Sequence, residues 1–196
     1  VIAPKSSHRG AEGPRTSEHG YRVDVEYVYP ASAIKTFAAV SALRKLDGLR
    51  KAGHEVGLDT PVALCAGGKR GCRTKDESNV EGGVITLGHE IRKMQLVSDN
   101  FSFNRLYDFV GHRELNEDLW ALGFSSMRMH HRLYSGSDPL EQKKTPRVEL
   151  RPPEGKKVVI PARKSDLELP PTEAVELKLG VAYIDRSEER RVGKVF

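Results

Sequence analysis

The segment Tyr29-Pro30-Ala31-Ser32-Ala33-Ile34-Lys35-Thr36-Phe37 joins two kinds of structure. Upstream, Tyr21 to Val28 alternates in polarity and is rich in aromatic and β-branched residues, which predicts a strand. Downstream, Phe37-Ala38-Ala39-Val40-Ser41-Ala42-Leu43 is apolar nearly all round a helical period. That predicts a core helix from about Ser32 to Asp47, with Gly48 as its stop signal and a further turn reaching toward Gly53. Ser32 stands at the junction, where a hydroxyl can cap free backbone amides. Lys35 follows one turn later on the same face. A hydroxyl beside an amine at the start of a buried helix suits nucleophilic chemistry. The amine takes the hydroxyl proton once burial lowers its pKa, and the helix N-terminus favours developing negative charge.

Ser-x-x-Lys alone carries little information. With 14 serines and 14 lysines in 196 residues, chance supplies ~1 match, and a capping serine followed by a solvated lysine explains it equally well. Ser98-Asp99-Asn100 is more specific: the composition gives a chance count of only ~0.015 for that tripeptide. It closes a second helical pattern, Thr86 to Val97, capped by Thr86.

In this order and 66 residues apart, the two motifs resemble the active-site signature of the class A β-lactamase and penicillin-binding family of serine hydrolases. The resemblance covers roughly residues 21–134. It implies an α+β, β-lactamase/transpeptidase-like fold, a helical domain packed on an antiparallel sheet. By the same resemblance Ser32 is the nucleophile and its N–H half of an oxyanion hole, and Lys35 lies close enough to assist. Ser98 passes a proton to the leaving nitrogen, Asn100 positions the substrate amide and holds Lys35, and Asp99 fixes the turn. The implied substrate is a small β-lactam or peptidoglycan-like molecule, with no cofactor and no metal, acting as a monomer in the periplasm or outside the cell. A DD-peptidase, an esterase or a non-catalytic domain of the same fold are the alternatives.

Two parts of the family pattern are missing. No Lys-Thr-Gly follows Ser98; Lys144-Thr145-Pro146 is the nearest match, and its proline forbids the close backbone approach that glycine gives. The Glu-x-x-x-Asn loop that positions a deacylating water is also absent, with Glu141 in the corresponding region but in a different context. The missing Lys-Thr-Gly leads us to expect a truncated domain over residues 21–185, with C-terminal strands lacking, an open sheet edge and poor solubility, and the missing glutamate leads us to expect a long-lived acyl-enzyme. Residues 1–20 read as a poorly ordered arm. Arg186 to Lys194 matches the translation of a common sequencing adapter, so residues 186–196 are expected to be a non-native tail.

Composition sets the outer bounds. With 38% apolar and 30% charged residues the chain is globular in class, and no apolar run approaches a membrane span. The net charge of +5 invites a nucleic-acid reading, but the terminal stretch supplies +2 of it, so no nucleic-acid partner is expected. Cys65 and Cys72 fit either a disulfide or two free thiols. Gly67 to Gly71 lacks the spacing of a phosphate-binding loop, and His89-Glu90 lacks the second histidine of a zinc protease because position 93 is Lys. His130-His131 falls in a strand or loop, where neighbours face opposite ways. Helical patterns at Phe101–Val110 and Glu114–Leu122 place Phe103, Leu106, Tyr107, Val110, Leu119 and Trp120 in the core. From Ser135 the prolines break any long helix. There Val148–Arg151 and Lys157–Ile160 suggest a hairpin, and Leu177 to Ile184 one more element.

Overall fold

A computed structural model of the chain describes residues 30–66, 71–125, 127–133 and 138–169. The expected strand at 21–28, the arm, the element at 177–184 and the tail lie outside the described residues.

A 3₁₀ turn, Ala31–Ala33, leads into α1, Ile34–Lys51. Strands β1, Val62–Cys65, and β2, Cys72–Arg73, follow. Then come three helices: α2, Leu87–Val97, α3, Asn100–Val110, and α4, His112–Ala121. A short helix α5, Pro139–Gln142, precedes β3, Lys144–Thr145, β4, Arg147–Leu150, β5, Val158–Ile160, and β6, Arg163–Lys164. The main sheet is antiparallel in the order β2-β1-β4-β5, with β3 and β6 pairing separately. The fold is α+β, with a helical layer and an antiparallel sheet.

Helix α1 packs against α2, α3 and α4. It buries Ala38, Ala42 and Leu46 beside Phe103, Leu106, Tyr107, Val110, Leu115 and Leu119, so small α1 side chains let α3 approach closely. Val62, Leu64, Val148, Leu150, Val158 and Ile160 add the sheet's contribution, each buried side chain worth about 1.5–3 kcal/mol. Trp120 packs against this core and donates its Nε1–H to the Met127 carbonyl, 2.9 Å.

Several boundaries differ from the sequence reading. Gly48 does not stop α1, and the chain stays helical to Lys51; the turn comes at Gly53, whose φ is +87°. Val40 and Leu43 remain 37% and 43% exposed, so α1 is buried over a broad face and not all round. Asp99 caps α3, accepting from the Ser102 N–H at 2.6 Å, which starts that helix at Asn100. Of the two readings of His130-His131, strand or loop, the loop holds, and Asn116 holds both Met129 backbone groups beside it. Arg163 donates to the carbonyls of Asp108, Phe109 and Val110, satisfying the C-terminus of α3 with a cation.

Cys65 and Cys72 are register partners on β1 and β2 and form a disulfide, which resolves the open choice between bridge and thiols. A loop this short restricts the unfolded chain by about 2.5 kcal/mol in the chain-entropy model. Reduction should therefore lower the urea midpoint by the equivalent of ~2 kcal/mol; an unchanged midpoint would show that the bridge is thermodynamically silent. No helix among the described residues is long and apolar enough to cross a membrane.

Candidate active site

The start of α1 and the turn between α2 and α3 meet at one amine. Lys35 lies in the first turn of α1 and is 2% exposed. Its Nζ donates to the Ser98 carbonyl at 2.6 Å, Asn100 Oδ1 at 2.7 Å and Ser98 Oγ at 3.0 Å, and lies 3.3 Å from Ser32 Oγ. The four residues singled out in the sequence are thus brought together across 63 to 65 positions of chain.

Local backbone makes this possible. Ser98 ends α2 in the left-handed region, φ +56°, so the chain reverses within one residue and presents both its carbonyl and its hydroxyl to Lys35. Ala31, immediately before Ser32, has φ +46°. A non-glycine residue held there costs on the order of 1 kcal/mol, and such strain is concentrated at functional sites. Ser32 does not cap α1, as the sequence suggested. It lies inside the 3₁₀ turn, Ala33 takes the cap position without a side-chain bond, and the Ser32 hydroxyl stays exposed next to the amine.

The electrostatics follow from burial. Desolvation lowers the Lys35 pKa from its ordinary 10.5, opposed by the charge of Asp99. Asp99 itself is pushed up by burial but held down on balance by hydrogen bonds from Ser102 and by Lys93 and Arg105. Two of the oxygens around Nζ, the Ser98 carbonyl and Asn100 Oδ1, can only accept, and they are the nearest. A neutral amine has two N–H bonds and one lone pair. With both N–H bonds given to those oxygens, the neutral form would turn its lone pair toward the Ser32 and Ser98 hydroxyls.

Behind the turn lies a buried charge network that the sequence reading missed. Arg105 on α3 donates to Glu90 Oε2 on α2 at 2.7 Å and to Asp76. Asn79 donates to Glu90 Oε1 at 2.8 Å, and Lys93 reaches Ser78 and Asn79. The signal was present: Glu90 and Arg105 each interrupt an apolar stripe, Leu87-Glu90-Met94 and Ser102-Arg105-Leu106-Phe109, where a charge needs a partner. Glu90, set aside as half of a zinc motif, is such a partner. One turn along α3 from Asn100, the Asn104 side chain brackets the backbone of Leu133, donating to its carbonyl at 2.7 Å and accepting from its N–H at 2.9 Å.

The other sequence candidates lie elsewhere. Lys144 and Thr145 pair with β6, and Lys144 Nζ donates to Glu141 at 2.6 Å. They line the wall of a cavity of about 1220 Å³ that includes none of Ser32, Lys35, Ser98 or Asn100. The converging polar groups are at Lys35 and not in that cavity, and we place the candidate chemistry there. Cys65, Cys72 and Glu149 bring ligand atoms within 4.8 Å of one another, yet the two sulfurs are bonded to each other and so offer no thiolate to a metal. Burial pushes His130 down to about 4, and His131 Nδ1 contacts the Arg132 carbonyl.

No curated protein and no solved structure matches the chain. A family model does, over residues 15–160, a span that contains the Ser32 turn, all of α1 to α5 and the main sheet. With most of its length matched, and with Ser-x-x-Lys and Ser-Asp-Asn converging on one buried amine, the chain belongs to the beta-lactamase enzyme family.

Proposed function

We propose that the chain is a serine hydrolase of the class A β-lactamase type, in which Ser32 is acylated by a β-lactam or a related amide or ester. The observation that carries this reading is the hydrogen-bond cluster around Lys35 Nζ. In it, neutral Lys35 takes the Ser32 proton as Oγ bonds to the substrate carbonyl carbon. The Ser32 N–H supports the oxyanion, and Ser98 delivers a proton to the departing nitrogen. Asn100 has a second role, orienting the amide side chain of the substrate. The disulfide fits a site of action outside the cytoplasm, in the periplasm or beyond.

Release of the acyl group is the slow half of the proposal. Among the described residues no carboxylate is hydrogen-bonded to Ser32 or Lys35. The loop that Asn104 clamps beside the site face of α3 offers an aliphatic residue, Leu133. This favours a second reading within the same chemistry, a DD-peptidase-like enzyme for which penicillin is a long-lived acylating agent. Intact mass spectrometry tests both. After incubation with a penicillin and removal of the excess, the chain should retain one adduct, mapping to Ser32, for minutes or longer. Rapid loss of the adduct with product release would favour a true β-lactamase, and absence of any adduct would overturn acylation by penicillin.

A further inference from the structure

Helices α2 and α3 meet at a two-residue corner, Ser98 and Asp99, and this corner sets where the Lys35 amine lies. The Ser98 carbonyl, Asn100 Oδ1 and Ser98 Oγ accept from Nζ at 2.6, 2.7 and 3.0 Å. Ser98 holds φ +56°, a conformation that a residue with a Cβ rarely adopts and keeps only where its surroundings fix it. Asp99 fixes the α3 side of the corner by accepting from the Ser102 N–H at 2.6 Å.

Set back from the corner, a buried strut ties the two helices to each other. Arg105, five residues past Asn100 on α3, donates from Nη1 at 2.7 Å to Glu90 Oε2, eight residues before Ser98 on α2. Its Nη2 donates to Asp76, in the loop that precedes α2. That loop is fastened to α2 in turn: Asn79 donates to Glu90 Oε1 at 2.8 Å and accepts from Lys93 Nζ at 3.1 Å. Glu90, Arg105 and Asn79 are all buried. Apolar side chains of similar volume would stabilise such a contact as well as buried charges do, or better. What charged hydrogen bonds add is direction, because they fix a distance and an angle where apolar surfaces slide.

We propose that Arg105 and Glu90, with Asn79 behind them, are positioning residues for acylation. Their strut fixes the angle between α2 and α3, holds Ser98 in the left-handed conformation, and so keeps the Ser98 carbonyl and Asn100 Oδ1 on Lys35. The consequence for chemistry rests on the hydrolase reading above. Among the described residues, none of the three is hydrogen-bonded to Ser32 or Lys35, so they act through the corner.

The test uses the full chain and a chromogenic β-lactam, with two readouts. Arg105→Met/Glu90→Gln removes the strut without stranding a charge on either helix, and Asp76 keeps its bonds from Ser78. In this variant the acylation rate constant at saturating β-lactam should fall about 10–100-fold, as a displacement near 1 Å can cost, while the half-saturating concentration changes far less. Hydrogen exchange at the Ser102 amide reads the corner through its bond to Asp99. It should quicken at least tenfold relative to the amides of Leu106 to Phe109 in the same helix. Val148→Ala, which opens a gap in the sheet layer, lowers stability but should change neither readout. If the double variant does not fold, Asn79→Ala removes one donor to Glu90 and is read in the same way. A rate within threefold of the parent overturns the proposal, and so does Ser102 exchange that rises only in step with the rest of α3. A parent that takes no acyl group overturns the hydrolase reading instead, and exchange at Ser102 then still decides whether the strut holds the corner.

Discussion

Lys35→Ala should slow acylation of Ser32 by about 10²–10⁴-fold, the range a positioned general base contributes. Ser32→Ala should form no adduct at all. The two variants separate roles that a stability effect would merge, because the alanine at position 32 removes an exposed hydroxyl while that at 35 leaves the Ser98 carbonyl and Asn100 Oδ1 without their donor. A pH profile sharpens the test. Only the neutral amine has a lone pair, so acylation should rise as pH passes upward through the lowered Lys35 pKa. Asp99 raises that pKa by its charge, so Asp99→Asn should move the acid limb of the profile to lower pH. Stability carries the same sign. The cost of burying a charged Lys35 is present in full below its folded pKa and is relieved as pH rises toward 10.5. Stopped-flow acylation with a chromogenic β-lactam measures the rate. A Lys35→Ala rate within threefold of the parent would remove the amine from the chemistry.

The site was legible where its determinants are local, and the fold where its periodicity was strong. Ser32 with Lys35 and Ser98 with Asn100 are short-range patterns, each fixed by a single turn, and the helical periods of α1 to α4 located the elements that carry them. The β4–β5 hairpin was readable for the same reason, two short strand-like runs around a Pro-Pro-Glu-Gly turn. Helix ends were less legible because tertiary contacts override local signals. Gly48 is tolerated mid-helix in α1, and α4 begins at His112, held at 2.8 Å from Ser165 across 53 residues. The short β3 and β6 depend on each other and have no local signature. Least legible was the Asp76–Arg105–Glu90 network, whose members are scattered over 29 residues and become partners only after α2 packs on α3.

That network should prove the costliest point of the fold to break outside the apolar core. Arg105 is 7% exposed and Glu90 1% exposed, so Arg105→Ala leaves a carboxylate in the interior with only the Asn79 amide to satisfy it. Removing one partner of a buried pair costs about 3–5 kcal/mol, far more than the pair contributes relative to apolar side chains of similar size. Arg105→Met combined with Glu90→Gln should therefore recover part of the loss, because neither charge is then stranded. Asp76 gives the pH dependence. Burial pushes its carboxyl up, but hydrogen bonds from Ser78 and Arg105 outweigh that and hold it well below 3.8. Its contribution is present above that ordinary value and lost as pH falls through the lower folded one, so the parent should lose stability more steeply in acid than Asp76→Asn. Urea midpoints across pH decide the matter. They also bear on the site, since Glu90, Lys93 and Arg105 lie on the two helices that end and begin at the Ser98–Asn100 turn. A variant that stays folded but loses acylation would show that the network holds the turn in place for Lys35. A variant with full stability and full acylation would mean that the α2–α3 packing suffices without it.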